Sequence, residues 1–229
     1  MKTLTFVPES TESILGYIYL AIELTVLQPI LLLVTLLIDV PVSDAVFNFI
    51  YFSTNFLFVT ILLHKFLIRS GKQALSNPFQ ILRGAFLGLL FYWVGSIVIN
   101  IIIQMISPDF FNVNDDNISQ MTRDNYVLMA IGTVLLVPIT EETLFRGLIF
   151  GKLYNRSPIL AYILSTLVFC AIHVVGYIGL YDPMHLVLCL LQYIPPSICL
   201  GWAYAKTDNI WAPILIHMTI NQIAMFSRR

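Results

Sequence analysis

The chain has 229 residues, of which 58% are hydrophobic and only 11% are charged. This apolar content excludes an ordinary soluble domain, and a net charge of -1 gives no reason to expect a nucleic-acid partner. The composition therefore predicts an integral membrane protein whose surroundings are the lipid bilayer.

Seven apolar stretches are candidates for membrane helices, because about 20 helical residues cross a hydrocarbon core about 30 Å thick. In chain order they cover residues 14–38, 46–68, 81–106, 126–153, 159–180, 184–205 and a shorter 210–226. No linker, repeat or low-complexity segment separates them. The sequence thus predicts an all-α fold, a polytopic transmembrane helical bundle of about seven helices, with residues 1–229 as a single membrane domain.

Basic residues lie mainly at the even-numbered loops between these helices, whereas the odd-numbered loops carry mostly aspartate. The basic residues in this pattern are Lys65, Arg69, Lys72, Arg83, Arg146, Lys152, Arg156 and Lys206. The positive-inside rule then predicts a cytoplasmic N-terminus. Seven full crossings would place Arg228 and Arg229 outside, against the rule, unless the short last helix is re-entrant or a span is miscounted.

Three charged residues lie inside the fourth predicted helix, in the sequence PITEETLFRG of residues 138–147. A charge at the bilayer centre costs about 2.5 to 3.5 kcal/mol, so each requires compensation. Glu142 and Arg146 are one helical turn apart and share a face, which predicts an ion pair. Glu141 points about 100° away from Glu142, and this pair leaves its charge uncompensated. Glu141 is therefore the candidate for a chemical role.

Two later helices also carry polar side chains within apolar sequence. His173 lies four residues after Phe169, and His217 and Asn221 are one turn apart on one helical face. A hydrogen bond between helices would explain any one of them. Because polar side chains lie near mid-membrane on all three helices, a shared buried site with Glu141 is favoured instead.

These residues resemble the motifs of the CAAX protease and bacteriocin-processing family, also called CPBP or Abi, of intramembrane proteases. Its three motifs are matched, in order, by Glu141-Glu142-x-x-x-Arg146, Phe169-x-x-x-His173 and His217-x-x-x-Asn221. The resemblance covers about residues 126–226, which would form the catalytic core. The first three predicted helices match nothing in the family beyond being transmembrane.

The resemblance implies a bacterial endopeptidase of the plasma membrane that cuts a membrane-associated peptide or protein substrate. It also implies that Glu141 and His173 activate a water molecule, while His217 and Asn221 stabilise the oxyanion. Glu142, Arg146 and Phe169 would support the site. Bacteriocin or pheromone processing and self-immunity are the biological roles that the family suggests.

Two alternatives stay open at this point. Glu141, His173 and His217 could also bind a catalytic zinc ion, but asparagine is an unusual zinc ligand and the chain lacks an HExxH pair. Metal-free glutamate catalysis without a cofactor is therefore the favoured expectation. Alternatively, a non-catalytic membrane immunity or regulatory protein could use the same fold to bind a peptide or a membrane partner.

Overall fold

A computed structural model of the chain describes residues 3–38 and 41–227. Within these ranges the backbone is largely helical, and the only β-type pairing is an isolated bridge between Ile178 and Tyr181. The predicted all-α transmembrane bundle is confirmed. Arg228 and Arg229, on which the topology of the last helix depends, lie outside the described residues.

When contiguous helical turns are joined, the described residues form nine helices. They are α1 (Ser10–Ile38), α2 (Asp44–Leu62), α3 (His64–Ser76), α4 (Pro78–Ile106), α5 (Val113–Asp124), α6 (Tyr126–Tyr154), α7 (Pro158–Ile172), α8 (Pro183–Thr207) and α9 (Trp211–Ser227). Helices α1, α2, α4, α6 and α8 are long and apolar enough to span a membrane, and α7 is apolar but shorter. Each predicted stretch contains a helix, while the number of seven spans stays a prediction.

Two predicted stretches end differently in the structure. The stretch 46–68 is divided at Leu63, whose φ of -113° and ψ of 25° separate α2 from the amphipathic, basic helix α3. The stretch 159–180 is α-helical only to Ile172, and the segment after it includes a short 3-10 turn at Val175–Tyr177 and Gly179 at φ +86°. That left-handed conformation is readily available to glycine and cannot continue a right-handed helix.

Helix α8 is central in the bundle and packs against α4, α7 and α9. Glycines of α4 allow this close approach, because a Cβ atom on Gly84 or Gly88 would collide with Thr207 of α8 or Ile216 of α9. Small residues commonly have this role between membrane helices, where dispersion contacts drive association. Helices α8 and α9 also contact α6, which carries the glutamate pair.

Helices α1 and α6 contain wide π-helical turns. They lie at Glu23–Leu27 in α1 and at Ile131–Leu136 and Glu142–Phe150 in α6. Such turns are frequent at functional sites. In α6 they flank Pro138, which has no amide hydrogen to continue the ladder of the helix. The backbone is therefore irregular where the charged residues lie.

The segment before α1 is fixed to the turn between α8 and α9. The Asp208 carboxylate accepts hydrogen bonds from the backbone amides of Thr5 at 2.9 Å and Phe6 at 3.2 Å. The Tyr204 hydroxyl donates to the carbonyl of Phe6. Asp208 itself has a left-handed backbone, with φ of +53°. This one carboxylate therefore joins the N-terminal segment to the turn between the last two helices.

We expect Asp208→Ala to lower the free energy of unfolding by about 3 kcal/mol, because charge-assisted hydrogen bonds are lost and alanine is disfavoured at positive φ. Asp208→Gly should cost less, since glycine accepts this backbone conformation. Chemical unfolding in detergent micelles would measure both. Equal stability of the alanine variant and the wild type would show that the carboxylate does not hold the N-terminal segment.

Candidate active site

The four predicted catalytic residues, Glu141, His173, His217 and Asn221, line one cavity of about 1020 Å³. They come from α6, the end of α7 and α9. The wall also includes residues from outside the family-like region, among them Glu23, Tyr51 and Tyr92 of α1, α2 and α4. The N-terminal helices thus help to form the candidate site.

Glu142 belongs to a buried network through its Oε1 atom, while its Oε2 has no hydrogen-bond partner among the described residues. Its Oε1 lies 3.2 Å from Nη1 of Arg146, and both side chains have no solvent exposure. The Arg146 guanidinium also donates to the Ser197 carbonyl and hydroxyl, at 3.3 and 3.2 Å, and lies 4.3 Å from the ring centroid of Phe169. The ion pair expected from the spacing is present, and it joins α6 to α7 and α8.

Glu141 differs from Glu142 in having no ion pair among the described residues. Its Oε2 atom is buried but has no hydrogen-bond partner among the described residues, and the side chain lines the cavity. A buried acceptor that is left unbonded is costly and calls for an explanation, of which a catalytic role is one. Adjacent glutamates therefore face different surroundings, as the angle between them predicts.

His173 follows the last turn of α7. Its Nδ1 lies 2.8 Å from the carbonyl oxygen of Phe169. A carbonyl only accepts hydrogen bonds, so Nδ1 carries the hydrogen and a neutral ring presents Nε2 as its acceptor. The ring stacks on Tyr193 and lies against Phe169, with centroid distances of 4.3 and 4.8 Å. This tautomer suits a group that holds or accepts a proton.

His217 also lines the cavity, but one of its ring nitrogens is held by Glu142. Its Nδ1 lies 2.9 Å from Oε1 of Glu142. The carboxylate can only accept, so the hydrogen is on Nδ1, and a neutral ring then has no second N–H for an oxyanion. Only a doubly protonated His217 could donate there. The spacing of the motif gave no sign of this contact, because it does not show which glutamate the ring meets.

Asn221 links α9 to α6 through a hydrogen bond of 2.7 Å from its side-chain amide to the carbonyl of Thr133. Thr133 lies in the π-helical turn Ile131–Leu136. A side-chain amide has two N–H groups, so one of them is left for a ligand in the cavity. The residue can therefore both support α6 and donate a hydrogen bond.

The candidate zinc ligands do not form a metal site as placed. His173 and His217 each direct Nδ1–H to an oxygen, which is typical of zinc-binding histidines. However, in residues 3–38 and 41–227 no three His, Cys, Asp or Glu side chains are grouped to hold a metal ion. We therefore assign no catalytic step to a metal.

Glu23 was not predicted as a site residue. It lines the cavity, its Oε2 is buried without a hydrogen-bond partner among the described residues, and it interacts electrostatically with Glu141. A lone carboxylate in an apolar span was the sequence signal that could have identified it. The cavity therefore contains a second carboxyl group, contributed by α1.

Comparisons with known proteins agree with these motifs. The family model described as Type II CAAX prenyl endopeptidase Rce1-like matches residues 123–223. The chain is 34% identical over 95 residues to YdiL of Bacillus subtilis (strain 168), described as a candidate membrane peptidase. It is 31% identical over 87 residues to the UPF0177 protein YxdF of Lactococcus lactis subsp. lactis (strain IL1403).

These similarities cover part of each protein. The alignments span 41% of this chain and 34% of YdiL, and 38% of this chain and 42% of YxdF. No solved structure matches the chain. The matched segment contains all three motifs and the side chains that they place at the cavity. Residues 123–223 therefore match the Rce1-like family model, and their motifs resemble those of the CAAX protease and bacteriocin-processing family.

Proposed function

We propose that the protein is an intramembrane endopeptidase that hydrolyses a peptide bond of a membrane-associated peptide or protein. The observation that carries this proposal is the contrast between the two adjacent glutamates. One oxygen of Glu142, Oε1, is bound by both Arg146 and His217, whereas Glu141 has no ion pair among the described residues and lines a large cavity. A carboxylate that is free of structural partners can take a proton from water.

In the proposed reaction Glu141 accepts a proton from water, and the hydroxide oxygen adds to the carbonyl carbon of the substrate. His173 holds the water through Nε2. The free N–H of Asn221 and a doubly protonated His217 donate to the oxyanion, a contribution of about 3 kcal/mol per donor. As the carbon–nitrogen bond breaks, the proton held by Glu141 passes to the leaving amine.

The cellular setting is part of the same proposal. The basic residues at the even-numbered loops favour a cytoplasmic N-terminus, and the two relatives described above are bacterial proteins. We therefore place the protein in a bacterial plasma membrane. A role in bacteriocin or pheromone processing, or in self-immunity, is supported by the family resemblance alone.

A cleavage assay in membranes tests the function. The purified chain is reconstituted in lipid vesicles with membrane-associated peptides, and mass spectrometry identifies any new N-termini. We expect cleavage at defined bonds by the wild type and none by Glu141→Gln. Peptides that bind the wild type but stay intact across pH would instead support the non-catalytic immunity or regulatory protein.

We expect catalysis to need no metal. Because the candidate ligands are not grouped as a metal site, active protein should contain far less than one metal ion per chain and should keep its activity after exhaustive chelation. Elemental analysis must accompany the chelation, since a buried ion can exchange slowly. A stoichiometric zinc ion whose removal and return switch activity off and on would contradict this prediction.

A further inference from the structure

Tyr193 of α8, which lies outside the three motifs, forms the closest ring contact of His173. The two ring centroids are 4.3 Å apart and the planes differ by 30°, so the rings are stacked. Phe169 contacts the same imidazole with a centroid distance of 4.8 Å. The motif phenylalanine therefore provides only part of the aromatic surroundings of this histidine.

The phenol of Tyr193 is itself held at both its donor and its acceptor positions. Its hydroxyl donates to Oδ1 of Asn112 at 3.1 Å and accepts a hydrogen bond from Nδ2 of Asn114 at 3.1 Å. Asn112 caps the start of α5, accepting from the backbone amides of Asn114 and Asp115. Asn112 also donates to Gln192 at 2.8 Å. The ring position is thus fixed by the cap of a neighbouring helix.

Two restraints act together on the imidazole of His173. The carbonyl of Phe169 holds Nδ1–H, which determines the tautomer. The face of Tyr193 restricts rotation of the ring plane, because a tilted imidazole would overlap the stacked phenol. Together they keep Nε2 in one direction. Without the ring of Tyr193 the imidazole could turn away from the Phe169 carbonyl, and the single hydrogen bond would then hold only part of the population in one tautomer.

We propose that Tyr193 is a positioning residue for His173, which holds the imidazole in the orientation that the reaction uses. Its catalytic consequence rests on the proposed peptidase function. The position of the Tyr193 ring against His173 does not depend on that function, since it follows from the observed contacts alone. Asn112 and Asn114 act on His173 through Tyr193 and need not touch the substrate.

The kinetic test compares variants at Tyr193 with a matched tyrosine elsewhere. Tyr193→Leu should lower kcat about 10- to 100-fold with little change in KM, because a small displacement of a catalytic group has an effect of this size. Tyr193→Phe keeps the stacked ring but loses the hydrogen bonds to Asn112 and Asn114, so its kcat should lie between those of Tyr193→Leu and the wild type. Tyr162→Leu is the control, since Tyr162 packs against Phe150 at 4.9 Å and does not line the cavity. It should affect stability more than kcat.

The spectroscopic test does not depend on cleavage. Nitrogen NMR of histidine-labelled protein should show one tautomer for His173 in the wild type and in Tyr193→Phe, with hydrogen on Nδ1. Tyr193→Leu should show a mixture of tautomers. If Tyr193→Leu does not fold, Tyr193→Met replaces it, because a flexible thioether fills the space without providing a ring.

The two arms separate the failure of this proposal from the failure of the proposed function. A wild-type protein that cleaves nothing would contradict the peptidase function, while the NMR spectra would still decide the role of Tyr193. Unchanged tautomer populations in Tyr193→Leu would overturn the positioning role. A loss of kcat in Tyr193→Leu that is no larger than the loss in Tyr162→Leu would also overturn it.

Discussion

Glu141→Gln is expected to abolish peptide hydrolysis and leave the protein folded. Glutamine has nearly the same shape as glutamate but cannot accept the proton from water, and loss of a general base lowers rates on the order of 10²- to 10⁴-fold. No structural partner is lost, because Oε2 of Glu141 is buried without a hydrogen-bond partner among the described residues. Initial rates of peptide cleavage and thermal unfolding of the same preparation measure the two effects.

Glu12→Gln provides the matched control for this substitution. Glu12 is also buried in an apolar helix, and its Oε1 accepts a hydrogen bond from the amide of Phe66 at 2.8 Å. It does not line the cavity. Its replacement should therefore lower stability and change kcat less than about threefold. An active Glu141→Gln protein would remove Glu141 from the mechanism.

The sequence was sufficient for the bundle and for the contrast within the glutamate pair. Apolar length indicates helices in a bilayer because unbonded backbone groups are excluded there. Helical periodicity brings Glu142 and Arg146 together, and it turns Glu141 toward other surroundings. These conclusions depend on distances along a single helix, which the sequence contains directly.

Contacts between helices were harder to predict. The motif of α9 places His217 on a polar face, but helix rotation and the wide turns of α6 decide that the ring meets Glu142. Tyr193 and Glu23 were missed for a related reason. A tyrosine in an apolar helix usually has a packing role, and one carboxylate in α1 gives no sign of its neighbours. Only the packed structure shows that both contact the site.

The second large effect is expected from Glu142→Gln, which should destabilise the protein by about 3 to 5 kcal/mol. The substitution leaves the fully buried guanidinium of Arg146 without its carboxylate partner, and it weakens the contact of Glu142 with His217. Hydrogen bonds to Ser197 would remain but carry no negative charge. Chemical unfolding in detergent micelles should show the loss directly.

A double variant distinguishes the loss of a charge pair from the loss of packing. Glu142→Gln combined with Arg146→Met removes both buried charges, and methionine can fill part of the space against Phe169. Because an unpaired buried charge costs more than a missing pair, the double variant should be more stable than Glu142→Gln alone. Its activity should stay low, since His217 would lose the carboxylate that orients it. Equal stability of Glu142→Gln and Glu141→Gln would mean that the two glutamates do not divide structural and chemical roles.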